Sequence, residues 1–200
     1  LHFATVTSLL VELNRSIKHR SLFSVVTKSL SATEREVLLE EHYWPHLRKI
    51  EAEMAGAIAD GRRVLHLSMH TFTPQLDGQV RKADIGLLYD PRRPWEVEIC
   101  AELRQSLRQR RPDLVVRRNY PYQGKADGLT TTLRRKWTAD AYVGIEIEVN
   151  HKWALGDRHK WRLIVGDVTR AIHRFFAPST SREHAGECLR SDTHRLKESL

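Results

Sequence analysis

Two stretches of the chain alternate apolar and polar residues with a period of two, and several others repeat apolar residues at helical spacing. From Arg63 to His70, Leu65, Leu67 and Met69 fall on one face and Val64, His66, Ser68 and His70 on the other, which predicts a strand. From Ala141 to Asn150 the alternation is cleaner. Val143, Ile145, Ile147 and Val149 point one way, and Glu146, Glu148 and Asn150 point the other. Shorter apolar runs predict strands at Ile85 to Tyr89, closed by Asp90-Pro91, and at Leu114 to Val116. The apolar, β-branched stretch from Leu1 to Leu13 also reads as a strand. Because the chain opens on Leu1 inside that stretch, it is expected to be a fragment.

Helices are signalled as clearly. Ser31 followed by Glu34 is a capping box. It opens a long stretch carrying Val37, Leu38, Leu47, Ile50, Met54 and Ile58, which Pro45 is expected to kink or divide and Asp60-Gly61 to end. Trp95, Ile99, Leu103 and Leu107 recur every four residues within Pro94 to Arg110. A short helix is expected from Thr130 to Lys136. A last one, Arg158 to Phe176, carries Trp161, Ile164, Val165, Val168, Ile172 and Phe175 as its core stripe. Strands alternating with helices predict an α/β layered domain with a largely parallel sheet. One domain is expected over residues 1–177. The polar, charged residues 178–200 lack periodicity and are expected to form a disordered tail.

Composition narrows the function classes. The 200 residues are 40% hydrophobic and 29% charged, the balance of an ordinary globular protein. No apolar run approaches the roughly 18 residues a membrane span needs. Cys100 and Cys188 are too few and too distant for a disulfide framework, so a reducing cytoplasm is the expected compartment. The formal charge of +8 leaves a nucleic acid or another anionic partner open. The basic run from Arg104 to Arg118, however, has no interleaved aromatics on which bases would stack, and reads as a solvated face.

In parallel sheets, useful polar residues gather at the carboxyl ends of strands. His70 stands at such an end and suits zinc as a neutral imidazole, although a lone histidine there more often bonds a loop carbonyl. Glu146, Glu148 and Asn150 share one face of a strand that is otherwise apolar. Burying carboxylates there is costly unless a cation or a catalytic role compensates, the alternative being an edge strand with one wet face. Either carboxylate is a candidate general base. Asn14 and Arg15 form a candidate clamp for a substrate carboxylate, arginine offering a bidentate fork. Arg81, Asp84, Asn119, Tyr120 and Tyr122 are further candidates on the loops. His42 and His46 have helical i, i+4 spacing, but Pro45 breaks the geometry and the glutamate of a zincin helix is missing.

Five stretches together carry a resemblance: Leu-Val-Glu-Leu-Asn-Arg-Ser (10–16), His-Leu-Ser-Met-His-Thr-Phe-Thr-Pro (66–74), Val-Arg-Lys-Ala-Asp-Ile-Gly-Leu-Leu-Tyr-Asp (80–90), Arg-Arg-Asn-Tyr-Pro-Tyr-Gln-Gly-Lys-Ala-Asp-Gly (117–128) and Gly-Ile-Glu-Ile-Glu-Val-Asn (144–150). In order and spacing, over residues 1–152, they resemble the N-formylglutamate amidohydrolase family. The resemblance implies a three-layer fold similar to zinc carboxypeptidases and zinc-dependent hydrolysis of the linear amide of an N-formyl or N-acyl amino acid. It implies His70 as a metal ligand and Glu148, with Glu146 as fallback, as catalytic carboxylate. It implies Asn14 and Arg15 as the substrate-carboxylate clamp, with Arg81 and Asn119 to Tyr122 as further contacts. Glu12 stands where the family pattern has aspartate. The family's first, His-Gly-rich motif, with the remaining zinc ligands, is expected upstream of Leu1, so this chain is expected to bind zinc weakly and to turn over slowly. Two alternatives stay open: a basic nucleic-acid-binding module and a non-catalytic scaffold.

Overall fold

The computed structural model describes residues 4–175. Its centre is β6 (Tyr142–Asn150), in which all nine residues are buried. β1 (Val64–Phe72) pairs with β6 in parallel, β4 (Ile85–Leu88) pairs with its other side antiparallel, and β5 (Val116–Arg118) pairs in parallel with β4. The order is therefore β1-β6-β4-β5, a mixed sheet in which parallel pairings predominate. A separate hairpin, β2 (Gln75–Leu76) and β3 (Gln79–Val80), turns through Asp77 and Gly78, both at positive φ. That Asp-Gly pair is a strong two-residue hairpin signal, lying inside a stretch that reads as a plain polar loop.

The helices cover both faces. α3 (Pro94–Arg110) and α6 (Arg158–His173) pack Cys100, Leu103, Leu107, Ile164, Val168 and Ala171 against Val143, Ile145, Ile147 and Val149. On the opposite face, α2 (Trp44–Ala59) and α4 (Leu129–Arg134) bring Ile50, Met54, Leu129 and Leu133 onto Tyr142. A short α5 (Lys152–Leu155) follows β6. The layered α/β domain predicted from the alternation of elements, and the helix-flanked, mostly parallel mixed sheet that the resemblance implies, are the observed fold.

Two local expectations are corrected, and a third is refined. Residues 4–13 form turns rather than a strand. Leu9 and Leu10 are exposed, while Val11 and Leu13 dock on Leu22, Leu39 and Tyr43, so the apolar run packs against a helix and not within the sheet. The expected break at Pro45 takes the form of a π-helical stretch, Leu39–Tyr43, between α1 (Ala32–Leu38) and α2. Proline lacks an N–H and its ring collides with the carbonyl four residues back, and the wider π turn accommodates both. Trp95 leaves the buried stripe of α3, and its ring lies under the Arg63 guanidinium at 4.0 Å. Glu96 is the fully buried residue there instead. The capping box at Ser31 and Glu34 and the glycine stop at Gly61, φ 74°, form as read. The tail expected over residues 178–200 lies outside the described residues.

Candidate active site

The face of the sheet opposite α3 and α6 carries the polar residues. Register sets Ser68 beside Glu146 and His70 beside Glu148 on neighbouring parallel strands, and Gly86 of β4 on the other side of Glu148. Directly paired residues share a face. The imidazole at the end of β1 and the two carboxylates of β6 are thus brought together, near the carboxyl ends of both strands.

Each side chain meets different surroundings. Glu146, 8% exposed, accepts a hydrogen bond of 2.6 Å from the buried hydroxyl of Thr130 on α4. Glu148, 5% exposed, has one carboxylate oxygen buried without a partner among the described residues. Burial first, and then the neighbouring Glu146 charge, push its carboxyl up to about 7, against a smaller opposing pull from Arg81. His70 shares a 2.8 Å contact between its Nε2 and the Ser68 hydroxyl.

The loops close around this face. Gly86 is required because a Cβ there would stand 1.9 Å from the Tyr120 carbonyl oxygen. The loop after β5 therefore passes directly over Glu148's neighbour. Asn119 turns that loop at φ 48°, its Oδ1 accepting from the Tyr89 and Gly124 amides. Tyr120 packs edge-on to Phe72 and precedes a cis bond to Pro121. Arg81 donates to the Tyr122 hydroxyl at 3.0 Å and covers that ring at 5.0 Å. Arg81, Tyr120 and Tyr122 thus stand at the mouth of the polar face.

Asn14 and Arg15 reach the site indirectly. Asn14 Oδ1 accepts from the Leu129 amide at 2.9 Å and so caps α4, whose preceding residue Gly128 has no side chain to do it. Arg15 Nη1 donates to the Asp127 carbonyl at 2.8 Å, and the Ser16 amide to the Asp127 carboxylate at 3.0 Å. This pair fastens the 117–128 loop. Asp84 is not brought to the group. Its carboxylate receives the Val115 amide, the Trp153 indole and the Lys152 ammonium.

A cavity of about 720 Å³ runs beside β1, reaching Asn14, Ser68 and His70, and its walls do not include Glu146 or Glu148. Its size suits a small molecule. Among the described residues, no group of three His, Cys, Asp or Glu side chains is placed to hold a metal ion. A catalytic zinc takes three protein ligands, so the described residues do not make a zinc site by themselves.

The sequence reading missed the ion pair that joins these parts. Arg134 meets both carboxylate oxygens of Glu96 at 2.9 Å and donates to the Gly124 and Gly144 carbonyls. Glu96 in turn accepts from the Asp90 and Gly144 amides, where β4 parts from β6. A glutamate one position after Trp95 gives no sign in sequence that it faces inward. Thr130 was equally silent, a helix-start threonine like many others.

No helix among the described residues is long and apolar enough to cross a membrane. No curated protein sequence matches the chain. Among solved structures it is similar to a gene product from Agrobacterium tumefaciens, with a TM-score of 0.62 and 23% identity, over 85% of this chain and 69% of that one. It is also similar to N-formylglutamate amidohydrolase from Ralstonia eutropha, with a TM-score of 0.60 and 17% identity, over 78% of this chain and 57% of that one. At those identities the likeness shows a shared fold. The family profile of N-formylglutamate amidohydrolase matches residues 9–154, which takes in every residue of the polar face, and by that match the chain belongs to the N-formylglutamate amidohydrolase family.

Proposed function

We propose that this site hydrolyses the amide of an N-formyl or other N-acyl amino acid, N-formylglutamate being the first substrate to test, with Glu148 as general base. One observation carries the reading: a buried carboxylate with an unpartnered oxygen, set beside a histidine at the ends of two parallel strands. A carboxyl held near 7 takes up and returns a proton at neutral pH, as amide hydrolysis requires when water attacks and the amine leaves. Thr130 keeps Glu146 in place, so Glu146 acts as the fixed neighbour and Glu148 as the proton carrier. Arg81 with Tyr122 offers a cation and a hydroxyl at the mouth for the substrate's α-carboxylate. Arg15 and Asn14 support that arrangement from behind the loop.

Zinc, implied by the family, would find one ligand here in His70 and would polarise the amide carbonyl when bound. Because the described residues offer no complete ligand set, we propose weak zinc retention by this chain and slow turnover. The test is formate release from N-formylglutamate by the 200-residue chain at pH 8. Slow release that Glu148→Gln abolishes is expected. Release that survives Glu148→Gln unchanged would remove Glu148 from the mechanism.

A further inference from the structure

A second cleft, of about 440 Å³, opens away from the polar face, between the C-terminal half of α3 and the edge strand β5. Arg104, Arg108 and Arg118 line it together with the amides of Gln105 and Gln109, and no carboxylate contributes to its wall. Arg104 and Arg108 stand one helical turn apart on α3. Arg118 arrives from β5, in register with the core residue Leu87, and so faces α3. Its neighbour Arg117 points to the other side of the sheet and covers the Tyr120 ring at 5.1 Å.

The charges in this cleft are uncompensated. Arg104 donates through Nε to the Val116 carbonyl at 3.3 Å, which anchors its stem. Among the described residues, none of Arg104, Arg108 and Arg118 forms an ion pair. Arg111, three positions beyond Arg108, has by contrast two carboxylates, Asp113 and Asp167. The carbonyl end of α3 favours cations in its last turn, which accounts for Arg108 but not for Arg118, brought in from another element. Like charges one turn apart repel. Three guanidiniums and two neutral amides around one small hollow are complementary to an anion with several oxygens. Guanidinium forks match phosphate geometry. No aromatic ring lines the cleft, so base stacking has no platform there.

We propose that this cleft is a binding site for a compact phosphorylated anion of the pyrophosphate class. It is independent of the reading of the polar face. Isothermal titration of the whole chain with sodium pyrophosphate, at fixed ionic strength, tests it. One-to-one binding is expected. The double variant Arg108→Gln/Arg118→Gln changes two exposed side chains and is expected to weaken it by about tenfold or more. The charge-matched Arg48→Gln/Arg62→Gln, on α2 and just beyond its end, is expected to stay within about twofold of the parent. Absence of binding overturns the proposal, and so does an equal loss in both variants, which would mean attraction by overall charge. Citrate binding as tightly as pyrophosphate would overturn the phosphate class. A single-stranded oligonucleotide that binds more tightly as it lengthens, and that pyrophosphate does not displace, would make the surface a nucleic-acid track instead.

Discussion

Ile145 and Glu146 are neighbours in the chain, yet Ile145 is fully buried among aliphatic side chains while Glu146 rests 8% exposed against a threonine hydroxyl. The same holds along all of β6. On one face Val143, Ile145, Ile147 and Val149 meet the apolar side chains of α3 and α6, and stability there scales with apolar area removed from water. The other face is nearly as dry, but it keeps Glu146, Glu148 and Asn150, and Asn150 donates to the Arg81 and Ala83 carbonyls. Dryness on the first face stabilises the fold. On the second it costs stability and raises the affinity of Glu148 for a proton. A strand that is merely structural would be expected to carry the first kind of residue on both faces.

Five measurements break or sharpen that contrast. The largest effect is expected at the junction of the two faces, where Arg134→Met would leave Glu96 buried without its cation, costing about 3 to 5 kcal/mol. Chemical denaturation should show the loss, and a midpoint close to the parent's would mean the pair is dispensable. On the hydrocarbon face, Ile145→Ala should cost about 3 kcal/mol by transfer and cavity terms together, read by calorimetry.

On the polar face the sign reverses. Glu148's carboxyl is raised from 4.5 to about 7, so its share of stability is fully present below pH 4.5 and is lost as pH rises through about 7. Glu148→Gln, neutral at every pH, should match the parent's melting temperature near pH 4. At pH 8 it should exceed it by roughly 5 °C, on the order of 2 kcal/mol. A variant less stable than the parent at pH 8 would contradict the burial argument. With Glu148 as the proposed base, the same titration predicts hydrolysis that rises with pH through about 7, since such a base must be unprotonated to act. The smallest effect is Asn14→Ala, about 1 kcal/mol for a lost helix cap. Unchanged substrate affinity in Asn14→Ala would support the capping role, and a large rise in KM without loss of stability would return Asn14 to the carboxylate clamp.

Much of this was legible beforehand. The period-two pattern of residues 141–150 correctly separated the hydrocarbon side of β6 from its carboxylates, because alternation follows from strand geometry whatever the partner strand. The four-residue spacing of Ile99, Leu103 and Leu107 placed α3 for the same kind of reason. Residues 4–13 misled, since β-branched content marks a good strand only when a sheet edge is there to receive it. Glu96 and Arg134 lie 38 positions apart and meet only through the fold. Asn14 caps a helix 115 positions away, a partner that no local signal names.

What the sequence by itself determined are the elements and their faces, because those depend on residues a few positions apart whose geometry is set by backbone dihedrals. It also carried the family, through short motifs kept in order. The tertiary structure alone decided which motifs meet. It set His70 beside Glu148, left one of that carboxylate's oxygens dry, turned Asn14 and Arg15 toward the backbone and gave Asp84 to Lys152. The physical reason is that a side chain's partner, dielectric and protonation are properties of the space around it, and that space is filled by residues distant in the chain.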